Sequence, residues 1–178
     1  MIWESHYWKD DLLHYARFIR KKSRPCEWSD SDFAKLEKTV MLGFYTIRKL
    51  IEAEKVATRF KTFQLNIHIY PPSGKLVTRM NWHKIDILFD LSRPRKESRD
   101  LRFLADQAIH SYVFQEGIGE QGELNSVLLA SDRQRSKGLL EIQSKDLISV
   151  FTEIGKNYPS SSFSTLNDES KDYEIYSE

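Results

Sequence analysis

Arg99-Asp-Leu-Arg-Phe-Leu-Ala-Asp-Gln-Ala-Ile-His-Ser-Tyr112 is the stretch whose periodicity decides how the middle of this chain is built. Wound at about 100° per residue, it brings Leu101, Leu104, Ala105, Ala108 and Tyr112 to one face and Arg99, Arg102, Asp106 and His110 to the opposite one. The reading is an amphipathic helix over 99–112. Asp106 stands four residues from both Arg102 and His110, the separation of neighbours on a helix surface. Its carboxylate can therefore pair with the guanidinium or hold the imidazole, raising its pKa as general acid–base chemistry requires. An Arg–Asp pair at this spacing is ordinarily a solvated ion pair of small consequence. Phe103, Val113 and Phe114 flank the stripe, however, and charge bordered by aromatics fits a cleft or an interface better than open surface.

Outward from this segment, two further helices are predicted on its N-terminal side. Residues 3–21 carry Trp3, Tyr7, Trp8, Leu12, Ala16 and Ile19 at helical spacing, with the three large aromatics expected in the core. The basic run from Arg17 to Arg24 suits a helix C-terminus, and Pro25 closes it. Ser29-Asp-Ser-Asp32 is a helix start, from which the longest helix runs to about Ala57. Its stripe is Phe33, Leu36, Val40, Phe44, Ile47, Leu50 and Ile51, interrupted by Gly43. Glycine inside a helix costs about 1 kcal/mol relative to alanine, so close approach of another helix, the first being the natural candidate, is expected there.

The period then changes to two. Phe63, Leu65, Ile67 and Ile69 alternate with Gln64, Asn66, His68 and Tyr70, the pattern of a half-buried strand with His68 facing outward. Pro71-Pro-Ser-Gly74 reads as a turn. Runs over 75–80 and 84–91 read as further strands of an antiparallel meander. Ser92 to Ser98 reads as a basic loop carrying Arg93, Arg95 and Lys96. Gly117 to Gly122 is a turn region without the lysine or the strand-to-helix context of a phosphate loop. Residues 125–130 and 138–143 form a hairpin whose tip, 131–137, carries Arg133, Arg135 and Lys137. Ser144 is expected to cap a last helix with Leu147, Val150, Phe151 and Ile154 inward and Gly155 as its stop. The remaining residues are serine-rich and then acidic, with Asp168, Glu169, Asp172, Glu174 and Glu178, the composition of a flexible tail.

Composition bounds the function classes. A chain of 178 residues with 40% hydrophobic and 30% charged content can bury a core. The formal net charge of +1 means that any nucleic-acid binding must come from local patches rather than a global field. With Cys26 as the one cysteine, no internal disulfide can form, which suits a cytoplasmic setting. The opening residues 1–11 lack the character of a secretory signal, and no apolar run approaches the ~20 residues of a membrane span. Neither zinc-type ligand spacing nor a dinucleotide fingerprint is present, so no cofactor or metal is expected.

The segment Asp106-Gln-Ala-Ile-His110-Ser-Tyr112, with Arg102 upstream, resembles the last motif of HEPN-type proteins. These are small helical bundles, many of them ribonucleases of toxin–antitoxin and phage-defence systems. Their signature is an arginine, four to six residues, then a histidine. In this chain seven residues separate Arg102 from His110, and Phe103 follows the arginine where a polar residue is usual. The resemblance covers one helix. It implies metal-independent RNA cleavage at a dimer interface, with His110 as acid–base group, Arg102 stabilising charge on the phosphate and Asp106 orienting them.

The sequence thus predicts an α+β fold of four main helices with a small antiparallel meander and a hairpin. One globular domain is expected over residues 1–158, followed by a flexible acidic tail over 159–178. The functional expectation is a non-enzymatic interaction protein, an accessory, regulatory or inhibitory subunit with a protein partner or a second copy of itself and no membrane attachment. It rests on the near-neutral charge, the abundance of Trp and Tyr, and the lack of a complete catalytic signature. The alternative is an RNA-binding or RNA-cleaving protein. In it Arg102, Asp106 and His110 are catalytic, and Arg93, Arg95, Lys96, Arg133 and Arg135 hold phosphates.

Overall fold

In a computed structural model describing residues 2–167 and 171–178, the chain forms an α+β fold built on a five-stranded, wholly antiparallel sheet. The strands are β1 (Gln64–Tyr70), β2 (Arg95–Asp100), β3 (Ser111–Ile118), β4 (Leu124–Ser131) and β5 (Leu139–Gln143), in the spatial order β2-β1-β5-β4-β3. The helices are α1 (Ser5–Lys22), α2 (Asp30–Glu52), the single turn α3 (Ile85–Leu88), α4 (Leu101–Ile109) and α5 (Ser144–Lys156). Helices α4 and α5 lie on the sheet, and the α1–α2 hairpin packs on top of them.

The alternation in β1 works as the sequence predicts. Leu65, Ile67 and Ile69 are buried and join Leu140 and Ile142 of β5 and Val127 and Leu129 of β4 on one face. Leu101, Leu104, Ala105 and Ala108 of α4 and Leu147, Val150, Phe151 and Ile154 of α5 cover that face. Burial of this apolar area, at about 25 cal/mol per Å², is the main term holding the layers together.

The partners of β1 differ from those expected. Residues 75–80 form no strand, and 84–91 hold the turn of helix α3. Ile85, Leu88 and Phe89 fall at i, i+3 and i+4, the spacing of one helical turn, while the odd positions of the same short run also alternate. Leu88 and Phe89 are buried with Val77 against Val113, Leu128, Ala130 and Leu139, capping one end of the sheet's second face. The strand beside β1 is instead β2, with Leu65 opposite Arg99 and Ile67 opposite Glu97. So Arg95-Lys-Glu-Ser-Arg-Asp100, read as a basic loop running into a helix, is an edge strand. Charges on an edge guard against pairing with other chains, which is why it lacks an apolar signature.

This strand also shortens the central helix. Asp100 caps α4, its side chain accepting from the Phe103 N–H at 2.7 Å, and His110 closes the last turn through its N–H to the Asp106 carbonyl at 3.2 Å. Arg99 and Tyr112, placed on the helix by periodicity, belong to β2 and β3.

Three further expectations are corrected by packing. Trp3 and Tyr7 are not core anchors but stand exposed, and Trp8 is partly buried. The helix crossing α2 at Gly43 is α5, since a Cβ there would run into the Phe151 ring. Gly155 does not end α5. It lies inside the helix, where a Cβ would sit 2.8 Å from Leu13 Cδ2 and 3.0 Å from the Lys9 carbonyl oxygen of α1.

The start of α2 is as expected. Ser29 and Asp32 form a reciprocal capping box. The Ser29 N–H, foremost, and then Lys22 hold the Asp32 carboxyl down to about 2. The α1–α2 loop is hooked to the β3–β4 turn by Trp28, whose indole N–H donates to the Gly122 carbonyl at 2.7 Å. Gly122 has φ of +82°, and a Cβ on it would strike the Cys26 carbonyl.

Residues 162–177 include a two-stranded antiparallel hairpin, β6 (Ser162–Asn167) and β7 (Asp172–Ser177). Ser177 ties it to the body, its N–H donating to Thr58 Oγ1 at 2.9 Å and its hydroxyl to the Val56 carbonyl at 3.0 Å. Asp168 and Glu169 of the acidic segment lie outside the described residues.

Gly43→Ala tests the helix crossing. Overpacking a full core costs about 1–3 kcal/mol, so chemical denaturation should show a loss of that size. Adding Phe151→Leu should recover part of it. An alanine at 43 without effect would mean that α2 and α5 are further apart than described.

Candidate functional site

The C-terminal end of α4, the C-terminal half of α2 and the β4–β5 turn meet in a cleft of about 530 Å³. It is lined by Arg48, Asp106, Gln107, His110, Ser131, Asp132 and Arg133. Each element is fixed there for a local reason. Gln107 is buried and its side-chain oxygen accepts from the Ser131 N–H at 3.4 Å, fastening the turn to the helix. The turn itself is wound by bonds from the Gln134 and Arg135 N–H groups to the Ser131 carbonyl at 3.0 and 2.9 Å.

Asp106 does not turn to Arg102. It accepts from Arg48 Nη1 at 2.5 Å, across from α4 to α2. Arg48 also donates from Nε to Glu52 Oε1 at 2.7 Å, so two carboxylates hold one guanidinium. The bond to Glu52 foremost, and the Asp106 charge besides, raise the Arg48 pKa above its usual range. Its positive charge is thereby largely spent within the protein.

The remaining residues singled out by sequence fall as follows. His110 is exposed at the C-cap of α4, and its ring makes no hydrogen bond or ion pair with a described residue. Arg102 is exposed on α4 and likewise pairs with no described residue. Arg133 is exposed and lines the cleft. Arg135 is engaged: its guanidinium lies 4.1 Å from the Tyr112 ring centroid, donates to the Val77 carbonyl and pairs with Asp132 at 2.9 Å. Arg93 pairs with Asp90 at 2.5 Å. Arg95 and Lys96 are on β2, three strands away from β4 in the sheet, and alternation points them to opposite faces. Thus the structure gathers Asp106, His110 and Arg133 and leaves Arg102, Arg93, Arg95 and Lys96 elsewhere.

Chemically the cleft offers an imidazole whose ring nitrogens can donate or accept a hydrogen bond. Beside it stand two guanidiniums offset by Asp106, Asp132 and the neighbouring Glu52. That balance suits a polar protein contact better than a strongly electropositive phosphate cradle. Among the described residues, no group of three His, Cys, Asp or Glu side chains could share a metal ion.

A second polar cluster lies on the face of the sheet away from the helices. Tyr70 donates its hydroxyl to Glu141 Oε2 at 2.7 Å, and His68 Nδ1 lies 3.3 Å from the same oxygen. Burial and then the Glu141 bond push the Tyr70 phenol above its usual range. The signal in the sequence was the outward phase shared by His68 and Tyr70. What it lacked was the register that sets His68 opposite Glu141.

No family model, curated protein or solved structure matches this chain.

A double-mutant cycle on Arg48 and Asp106 checks the cross-helix pair. Both side chains are part-exposed, at 29% and 44%, so a coupling of about 0.5–1 kcal/mol is expected in urea denaturation. The Arg102–Asp106 cycle should show none. The reverse pattern would restore the pairing along α4.

Proposed function

We propose that this protein is a non-enzymatic interaction module, an accessory, regulatory or inhibitory subunit, that binds another protein through the outer aromatic surface of its α1–α2 hairpin. One observation carries the reading: large apolar side chains stand at the surface on, and immediately before, a packed helical pair. Trp3 is 90% exposed and Tyr7 66%. One residue on, Trp8 packs 6.2 Å from Tyr45 of α2, and Leu42, one turn back from Tyr45, is also exposed.

Each such aromatic carries about 150–250 Å² of surface, and Trp and Tyr are the residues over-represented among binding hot spots. The helices beneath are fixed from inside by Leu12, Ala16, Val40, Phe44 and Ile47. Tyr7, Trp8 and Tyr45 are therefore presented on a scaffold that need not reorganise on binding. The cleft beside α4 supports the same reading, since its Arg48 and Asp106 are already paired with each other across the two helices.

Affinity capture from the native cell, comparing the wild type with Trp3→Ser/Tyr7→Ser, tests this. A partner retained in stoichiometric amount by the wild type and lost by the double variant is the expected result, and a second copy of the chain qualifies as that partner. Equal retention by both, or no retained partner together with a monomer at all concentrations, would overturn it. Neither substituted side chain is buried, so the variant should keep the wild-type Tm.

One observation favours a second reading, that of an RNA-acting protein of the HEPN-like kind. His110, Asp106 and Arg133, the last paired with no described residue, line one cleft. On this reading His110 moves the proton and Arg133 holds the phosphate, with Asp106 reaching the site through Arg48 and Arg102 outside the cleft. Incubation with total RNA should then give cleavage that His110→Ala abolishes, or binding that Arg133→Ala weakens and that falls steeply with salt. Intact RNA and salt-insensitive behaviour in all three proteins would remove this reading.

A further inference from the structure

Lys9 is a lysine in the wrong place for an ordinary surface charge. It lies on α1 facing the end of α2 and the start of the C-terminal hairpin, and is only 1% exposed. Lysine is almost never fully buried unless paired. Yet its amine makes no hydrogen bond or ion pair with a described residue. Its one polar-type contact is with the face of Tyr158, 4.0 Å from Nζ to the ring centroid. A buried cation without a counter-ion is costly, and among the described residues no carboxylate pairs with it.

The surroundings sharpen the point. Lys9 lines a cavity of about 470 Å³ together with Lys55, Glu54, Tyr158 and the serines 160–162. The second ammonium, Lys55, adds repulsion where attraction is needed. Glu54 does not supply the missing charge to Lys9, because its Oε1 is taken by Lys61 at 3.0 Å and its Oε2 is shut off from solvent. The backbone amides of Ser160 and Ser161 are also taken, both donating to the Glu178 carbonyl. What faces the cavity is therefore a pair of lysines beside the hydroxyls of Ser161 and Ser162, that of Ser160 already donating to the Glu178 main-chain oxygen at 3.4 Å.

We propose that this cavity, between the start of α1 and the β6–β7 hairpin, binds the oxyanion head group of a small ligand between Lys9 and Lys55. An oxyanion there supplies the acceptor that Lys9 lacks, screens the two ammoniums from each other and accepts from the serine hydroxyls. Charge-assisted bonds of this sort are the strong ones. Burial first, and Lys55 second, bring the Lys9 amine down to about 8. An anion in the cavity raises it again, so binding is coupled to proton uptake by Lys9.

The probe is inorganic phosphate, with acetate as a carboxylate arm and sodium chloride at matched ionic strength as control, all at pH 7. Phosphate or acetate should raise the Tm of the full chain saturably, beyond the effect of chloride. Lys9→Met, close in shape and without charge, should weaken the response by about tenfold, the scale of one lost bond to a charged group. Lys55→Met should also weaken it and covers the case in which Lys9→Met fails to fold. Independently, phosphate should slow the acetylation of Lys9 by acetic anhydride, read by mass spectrometry, while leaving exposed lysines such as Lys137 unaffected. No oxyanion effect beyond chloride, or an undiminished effect in a folded Lys9→Met, would overturn the proposal. The balance between phosphate and acetate identifies which head group the site prefers.

Discussion

A single apolar sheet face has to be kept from water, and the rest of the architecture follows from how this is done. The branched side chains of β1, β5 and β4 point the same way because strand pairing puts them in phase. Helices α4 and α5 are the two elements joined directly to strands, with no connecting loop before either. Asp100 is at once the last residue of β2 and the N-cap of α4, and Gln143 plays the same part between β5 and α5. Such tight junctions leave each helix no choice but to fold back over the sheet. The small side chains of Ala105 and Ala108 and the crossing at Gly43 then allow the α1–α2 hairpin to settle as a third layer.

That third layer sets the chemistry of the surface. With α2 held against α4, Arg48 meets Asp106, and the carboxylate that the helical pattern offers to His110 is committed to another helix. With α1 held against α5, Lys9 is drawn under the hairpin that follows Tyr158. In both places a charged side chain is placed by a helix-packing requirement rather than by its neighbours in sequence. One ends paired across two helices and the other with no partner of opposite charge among the described residues. The difference separates a satisfied structural contact from a cavity with an unmet demand.

The outer faces of the helical hairpin show the converse. Trp3, Tyr7 and Tyr45 have no internal job, since the inward positions of α1 and α2 are filled by aliphatic residues and Phe44. The exposed Phe163 and Tyr176 of the C-terminal hairpin, stacked 5.1 Å apart, are a further apolar pair turned to solvent. These patches, on a chain of almost balanced charge, are what the proposed interaction role rests on.

By itself the sequence determined the α+β class, both long helices, the β4–β5 hairpin, the last helix and the alternation of β1. In each of these the side-chain period is long, or the cap and turn residues are local. It misplaced what depends on a partner far along the chain. Arg95 to Asp100 carries no apolar alternation because an edge strand needs none, so only its pairing with β1 reveals it. Residues 84–91 are too short for their period to discriminate helix from strand. Trp3 precedes the first residue of α1, and Tyr7 lies about 140° round the helix from the buried stripe of Leu12, Ala16 and Ile19, so neither faces the core. Among the candidate residues, Asp106 and His110 could be chosen from spacing alone. Their company of Arg48 and Arg133, the exclusion of Arg102, the Tyr70–Glu141–His68 cluster and the solitary Lys9 were decided only by tertiary structure. Helix packing and strand register join residues dozens of positions apart, and no local pattern records such distances.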